Sequence, residues 1–173
     1  MGTTVGGRSW RRRVRLGVGA AFVLYGLVSL GLPAALGWPW RLPLPWVAGL
    51  LAGLPLVLAG LVLQRLSWRA LGGARALGGE LFRDGSESRL ICHGIYGRIR
   101  HPLYLAAMAL LVGLTLLLRL TPLAVLSALF LVHFVVVASG EERELRRRFG
   151  AAYDAYRERV PAILPRRRRR RQG

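Results

Sequence analysis

The sequence predicts an all-α integral membrane protein: four transmembrane helices, both termini cytoplasmic, and a cytoplasmic amphipathic helix after the last span. Three observations predict it. Of 173 residues 53% are hydrophobic, yet the formal net charge is +18, which fits a small multi-pass membrane protein with basic ends better than a soluble domain. Four apolar runs, at residues 14–32, 46–63, 103–118 and 120–138, approach the roughly 20 residues of helix that cross a bilayer. All 26 basic residues are Arg, and 24 of them lie before or just inside the start of span one, between spans two and three, or after span four. The positive-inside rule then puts those three segments on the cytoplasmic side.

Taken in order, residues 1–13 are a basic N-terminus leading into the first span. A basic start, an apolar run and Pro33-Ala34-Ala35 also imitate a cleavable signal peptide, but the run is too long and three more spans follow. Trp38-Pro39-Trp40-Arg41-Leu42-Pro43-Leu44-Pro45-Trp46 makes a short outer loop. Its prolines oppose helix and its tryptophans suit the headgroup level, so it reads as an anchor. In span two, Gly49 and Gly53 allow close helix packing, and Pro55 predicts a kink.

Residues 64–100 are expected to form a cytoplasmic loop. Gly72-Gly73 and Gly78-Gly79 match no phosphate-binding loop, and Asp84-Gly85-Ser86-Glu87-Ser88 reads as an exposed turn. No strand pattern is present, so a nucleotide-like cofactor would be bound without a Rossmann domain. Spans three and four, joined by Arg119-Leu120-Thr121-Pro122, form a tight antiparallel hairpin within residues 101–165. Beyond it Leu145, Phe149, Ala152, Tyr153, Tyr156 and Val160 recur at steps of three and four, the stripe of one amphipathic helix. Pro161 and Pro165 end it. Residues 166–173 carry six adjacent Arg, a solvated tail that anionic lipids attract. The whole chain, 1–173, reads as one domain. No aromatic-interleaved basic surface points to nucleic acid. The single Cys92 excludes an internal disulfide, and with His93 it lacks the further ligands that a metal site needs.

Two polar clusters flank the hairpin on the cytoplasmic side. Before it stands Gly94-Ile95-Tyr96-Gly97-Arg98-Ile99-Arg100-His101-Pro102-Leu103-Tyr104. Arg100 offers a fork of donors to a carboxylate or phosphate. His101 precedes a proline and is expected in an extended turn, while Pro102 suits the first turn of span three. That helix start favours an anion, flanked by the rings of Tyr96 and Tyr104. After the hairpin come Glu141 and Glu142. Negative charge is unfavourable at a helix C-terminus, so either the helix continues, or these residues pair with arginines, or they hold a ligand's hydroxyl or cationic groups. His133, deep in span four, faces the cavity or bonds a neighbouring helix.

The combined pattern, Arg100-His101-Pro102-x-Tyr104, two apolar spans, Glu141-Glu142-x-x-Leu145, Phe149-Gly150, Tyr153, Tyr156 and Val160-Pro161, resembles the isoprenylcysteine carboxyl methyltransferase family. It also resembles the related phospholipid methyltransferases. The likeness covers residues 94–165; spans one and two match only in being apolar. His93 replaces a small hydroxyl residue common before the glycine, and Ala106 replaces a common glycine, both of which reshape the pocket.

The resemblance implies an S-adenosylmethionine-dependent methyltransferase of the plasma (inner) membrane, its active site facing the cytoplasm. Arg100, His101 and Glu142 would be catalytic. Tyr96, Arg100, His101, Pro102, Tyr104, Glu141, Glu142 and Tyr153 would hold the cofactor, with Tyr156 close by and no metal involved. The acceptor would be a lipid-like or isoprenoid molecule, first of all a prenylcysteine-like carboxylate, with a phospholipid amine as the alternative. A non-catalytic scaffold whose basic tail binds anionic lipid is the rival of another class.

Overall fold

The computed structural model describes residues 23–71 and 90–163. The first part of span one with its arginines, the glycine pairs and acidic turn of the central loop, and the arginine tail lie outside the described residues. Those that are described form five α-helices: α1 (Val23–Ala35), α2 (Trp46–Leu71), α3 (Pro102–Leu118), α4 (Thr121–Phe149) and α5 (Ala151–Arg159). A 3-10 turn, Gly94–Gly97, precedes α3. There is no strand among the described residues, only an isolated bridge between Arg41 and Leu120. Helices α2 and α4 are long and apolar enough to cross a membrane, while α3 and the described part of α1 are shorter apolar helices. Large apolar side chains face outward along α2 and α4, among them Leu51, Leu58, Val132 and Val136, surfaces suited to lipid.

Small residues bring α2 and α3 together. A Cβ on Gly53 would lie 2.7 Å from the Gly113 carbonyl oxygen, and one on Gly113 would lie 2.8 Å from the Val57 nitrogen. Gly49 meets the Leu116 carbonyl, and Gly60 meets Leu110 and the carbonyl of Ala106. The expected Gly49/Gly53 contact is thus one part of a four-glycine seam. In lipid, where hydrophobic burial gives helices no reason to associate, such close backbone approach supplies the packing. Buried hydroxyls are satisfied within the bundle. The Thr115 and Ser127 hydroxyls lie 3.1 Å apart across α3 and α4, each also within reach of a carbonyl one turn back, so that one donates to its carbonyl and the other has the choice of its own carbonyl or its neighbour's oxygen. His133 of α4 bonds Tyr25 of α1 at 3.0 Å, which realises the helix-to-helix reading of that residue.

The loop after α1 is tied to the α3–α4 turn. Leu42 N–H donates to the Arg119 carbonyl (2.7 Å), Thr121 N–H to Trp40 (3.1 Å), and the Arg119 guanidinium to Leu44 (3.0 Å). Arg119 closes α3 in the left-handed region, φ 55°. These contacts gather the Trp-rich loop and the hairpin turn at one end of the bundle.

Three boundaries differ from expectation. Helix α2 runs on to Leu71, so residues 64–71 belong to a helix and not to the loop. Helix α4 continues past residue 138 to Phe149, because apolar patterning marks where lipid ends and not where helical hydrogen bonding ends. The one amphipathic helix is two, broken at Gly150, whose φ of +51° and ψ of −127° lie outside the helical region. The break turns Ala152 outward, although Tyr153, Tyr156 and Val160 stay buried against Leu90, Leu145 and Phe149.

Candidate active site

The end of the bundle away from the Trp-rich loop collects the polar residues. Pro102 is the first residue of α3, where no backbone donor is needed, and it is fully buried. His101 before it is non-helical (φ −121°, ψ 55°), short of the extended conformation expected. Its ring and the Arg100 side chain therefore point from a bend, not from a helix face. The chain after α5 returns to this bend: Arg100 N–H donates to the Pro161 carbonyl (3.0 Å) and His101 N–H to that of Ala162 (3.2 Å).

Glu142 occupies the centre. The Arg100 guanidinium donates to its Oε1 at 2.5 Å, and His101 Nε2 contacts the same oxygen at 3.1 Å. A carboxylate oxygen only accepts, so Nε2 carries the proton. Arg157 Nε of α5 faces the other oxygen at 3.8 Å. Beside it the Tyr104 hydroxyl donates to Glu141 Oε1 at 3.0 Å. The ring of Phe134 lies 5.0 Å from that of Tyr104 and 6.1 Å from that of His101, so the carboxylates stand against an aromatic wall. Because α4 continues to Phe149, Glu141 and Glu142 are inside a helix. The arginine-pairing reading is realised for Glu142 alone; Glu141 accepts from the Tyr104 hydroxyl instead.

Burial sets the electrostatics. It holds the His101 imidazole below its ordinary pKa, against the opposing pull of the Glu142 hydrogen bond and charge. Burial also pushes up the Tyr96 hydroxyl, and the nearby Glu141 charge adds to that. Tyr153 is 1% exposed and its hydroxyl is pushed up by burial, in the fields of Arg100, Glu142 and Arg157. Neither that hydroxyl nor Arg100 Nε has a hydrogen-bond partner among the described residues. Two buried donors left open are costly, about 1–3 kcal/mol each, and together they suit an anionic acceptor.

Of the residues singled out in the sequence, Arg100, His101, Tyr104, Glu141 and Glu142 come together directly. Pro102 starts the helix. Tyr96 contributes its carbonyl, which accepts from the Tyr156 hydroxyl at 2.7 Å, and Tyr153 lies in the field of this centre. Phe134 and Arg157 went unnoticed. Phe134 is seven residues before Glu141 on the same helix and Arg157 four after Tyr153, spacings that put each pair on one face.

The family model of the phospholipid methyltransferases matches residues 48–152, from the first turn of α2 to the first turn of α5. It takes in every side chain bonded around Glu141 and Glu142 except Arg157, and it includes α2, which the sequence pattern alone did not tie to the family. No curated protein and no solved structure matches the chain.

Proposed function

The chain belongs to the phospholipid methyltransferase family, and from that premise we propose a specific activity: it transfers a methyl group from S-adenosylmethionine to the head of a lipid-like acceptor at the cytoplasmic face of the plasma membrane. The observation that carries this reading is the convergence of Arg100, His101 and Glu142 with the Tyr104–Glu141 pair at one end of an apolar helical bundle. In the proposed topology four helices cross the bilayer within one domain, both termini and the site are cytoplasmic, and the basic tail lies against anionic lipid. The arginine distribution of 24 against 2 supports that orientation.

The residues fit the cofactor. When bound, S-adenosylmethionine supplies an electrophilic methyl group on a sulfonium cation. Arg100 Nε and the Tyr153 hydroxyl, both donors without partners among the described residues, suit its carboxylate. The Glu141 carboxylate and the rings of Tyr104 and Phe134 suit a cation. Glu142 orients Arg100 and His101 by bonding both, and Pro102 fixes where that pair leaves the helix. Tyr96 and Tyr156 join the two halves of the wall. Holding two reactants in line accounts for on the order of 7–11 kcal/mol of barrier lowering at best, so positioning is the main task of these side chains.

The family match favours a phospholipid amine over the prenylcysteine-like carboxylate that the resemblance put first. Transfer of a labelled methyl group into phosphatidylethanolamine and into a prenylcysteine, offered side by side in detergent, tests both readings. Label in the amine lipid is the expected result. Label only in the prenylcysteine reverses the acceptor. Absence of S-adenosylmethionine binding in calorimetry refutes the enzyme and leaves the scaffold.

A further inference from the structure

Two acceptor atoms at the site face each other with no proton between them. His101 is 6% exposed, and its Nε2 proton goes to Glu142 Oε1. Burial keeps the ring below its ordinary pKa, so at neutral pH it holds that one proton and Nδ1 is an open acceptor. Opposite Nδ1, at 3.8 Å and beyond hydrogen-bond reach, stands Glu141 Oε2. The other oxygen of Glu141 takes the Tyr104 hydroxyl, while neither Oε2 nor His101 Nδ1 has a hydrogen-bond donor among the described residues. Two facing acceptors are costly until a group with two N–H or O–H bonds joins them.

Charge narrows that group to an ammonium. Glu142 has Arg100 and Arg157 beside it, whereas among the described residues no arginine lies within ion-pair reach of Glu141. The rings of Tyr104 and Phe134 stand 5.9 and 6.1 Å from that of His101, and aromatic faces attract a cation. A nitrogen about 2.9 Å from both acceptors holds its two bonds roughly 80° apart, a modest bend from the tetrahedral angle of about 109°. A water makes both bonds but leaves the charge of Glu141 and the ring faces unmet.

We infer that His101 Nδ1 and Glu141 Oε2 form the subsite for the acceptor's ammonium, each accepting one N–H bond, and that Nδ1 removes the proton which the nitrogen has to lose before it attacks. This rests on the phospholipid amine reading. Glu142 suits His101 to the task, because a carboxylate on Nε2 fixes the tautomer and stabilises the imidazolium. The N–H bond breaks with its electron pair left on nitrogen, and the proton binds Nδ1. That pair forms the bond to the methyl carbon, about 3–3.5 Å away, as the carbon–sulfur bond breaks and its electrons stay on sulfur. The imidazolium then returns its proton to water. Glu141 faces both reactants, since in-line transfer makes the amine a neighbour of the sulfonium. That neighbouring positive charge also makes the ammonium easier to deprotonate.

Two acceptors also set how far methylation runs. Primary and monomethyl ammonium heads offer both N–H bonds, a dimethyl head offers one and a trimethyl head none. Binding should therefore fall about tenfold at the dimethyl stage.

Two measurements test the subsite. The first is nitrogen NMR of the full chain in detergent with isotope-labelled histidine. The chain has three histidines, and His101→Gln, whose amide can still donate to Glu142 but has no second ring nitrogen, identifies the His101 signals. Dihexanoylphosphatidylethanolamine, without S-adenosylmethionine, should move the Nδ1 resonance of His101. Dihexanoylphosphatidylcholine, whose head has no N–H, should not. Glu141→Gln should raise about tenfold the ethanolamine lipid needed for the same response. Equal responses to both lipids, or no response to either, overturn the subsite whether or not the protein transfers methyl groups.

The second follows methyl transfer to phosphatidylethanolamine. His101→Gln should slow it about a hundredfold at about pH 7 and recover much of that loss by about pH 9, where more of the amine is already free. The charged and titratable groups around His101 are Arg100, Tyr104, Glu141 and Glu142, with Arg157 beyond, and at ordinary values none changes charge over that range. A loss that does not shrink with pH overturns the proton step. Transfer into a prenylcysteine alone overturns the amine reading and the inference together. Transfer into phosphatidylethanolamine without the NMR response keeps that reading and overturns the inference.

Discussion

Arg100 and Glu142, 42 residues apart in sequence, are bonded at 2.5 Å, and the hairpin of α3 and α4 is what brings them together. Glu142→Ala leaves the Arg100 guanidinium and the His101 ring without their shared acceptor. The expected cost is about 1–3 kcal/mol in detergent, below that of a fully buried pair because Glu142 is partly exposed. The double variant Arg100→Leu/Glu142→Leu should recover much of that stability without recovering cofactor binding. Thermal unfolding and calorimetry with S-adenosylmethionine separate the two effects. Equal melting of wild type and Glu142→Ala would count against the pairing.

Tyr153→Phe removes a buried hydroxyl that has no hydrogen-bond partner among the described residues. Stability without ligand should be unchanged or slightly higher, while affinity for S-adenosylmethionine falls by about 1.5–3 kcal/mol, the worth of a hydrogen bond to a charged group. Unaltered affinity would remove Tyr153 from the cofactor site.

His101 sets a pH dependence. Burial holds its folded pKa below the ordinary 6.5, so the unfolded chain takes up a proton first as pH falls. The stability it contributes is complete above the ordinary value and is lost as pH drops towards the folded one. Wild type should therefore lose more melting temperature than His101→Asn between about pH 7 and about pH 5, the range in which histidines titrate. Parallel losses would assign the acid sensitivity to other groups.

The glycine seam is tested by contrast. Gly53→Ala drives a methyl group into the Gly113 carbonyl and the Leu117 nitrogen, and overpacking of that kind costs about 1–3 kcal/mol. Gly140→Ala, in α4 with no described residue near its Cβ position, should be neutral or stabilising by up to about 1 kcal/mol. Similar melting of the two variants would show that α2 and α3 do not approach this closely.

Much of the site was legible because its residues are polar where the chain is otherwise apolar. Arg100, His101, Tyr104, Glu141 and Glu142 stood out for that reason, and the short link at residues 119–122 required their two segments to meet at one end. Pro102 marked the start of α3 because only a first turn tolerates it. Other features left no such mark. The ends of α2 and α4 lie beyond their apolar runs, in arginine-rich sequence that hydropathy treats as loop. Gly150 lies within a stretch whose periodicity runs unbroken across it, and only its backbone angles set it apart. The bonds from Arg100 and His101 to Pro161 and Ala162 are main chain to main chain, which no side-chain pattern announces.

Those last bonds order events during synthesis. Tyr156, which locks onto the Tyr96 carbonyl, follows it by 60 residues, and Pro161 and Ala162 come later still. At about 5–20 residues per second, the N–H groups of Arg100 and His101 wait roughly 3–12 s on the ribosome before their acceptors exist. The hairpin can enter the membrane within that interval, but the polar centre at its base is finished only by a segment that emerges after it. A nascent chain arrested in α4 would hold both halves of the Arg100–Glu142 pair and still lack the strap that closes them in.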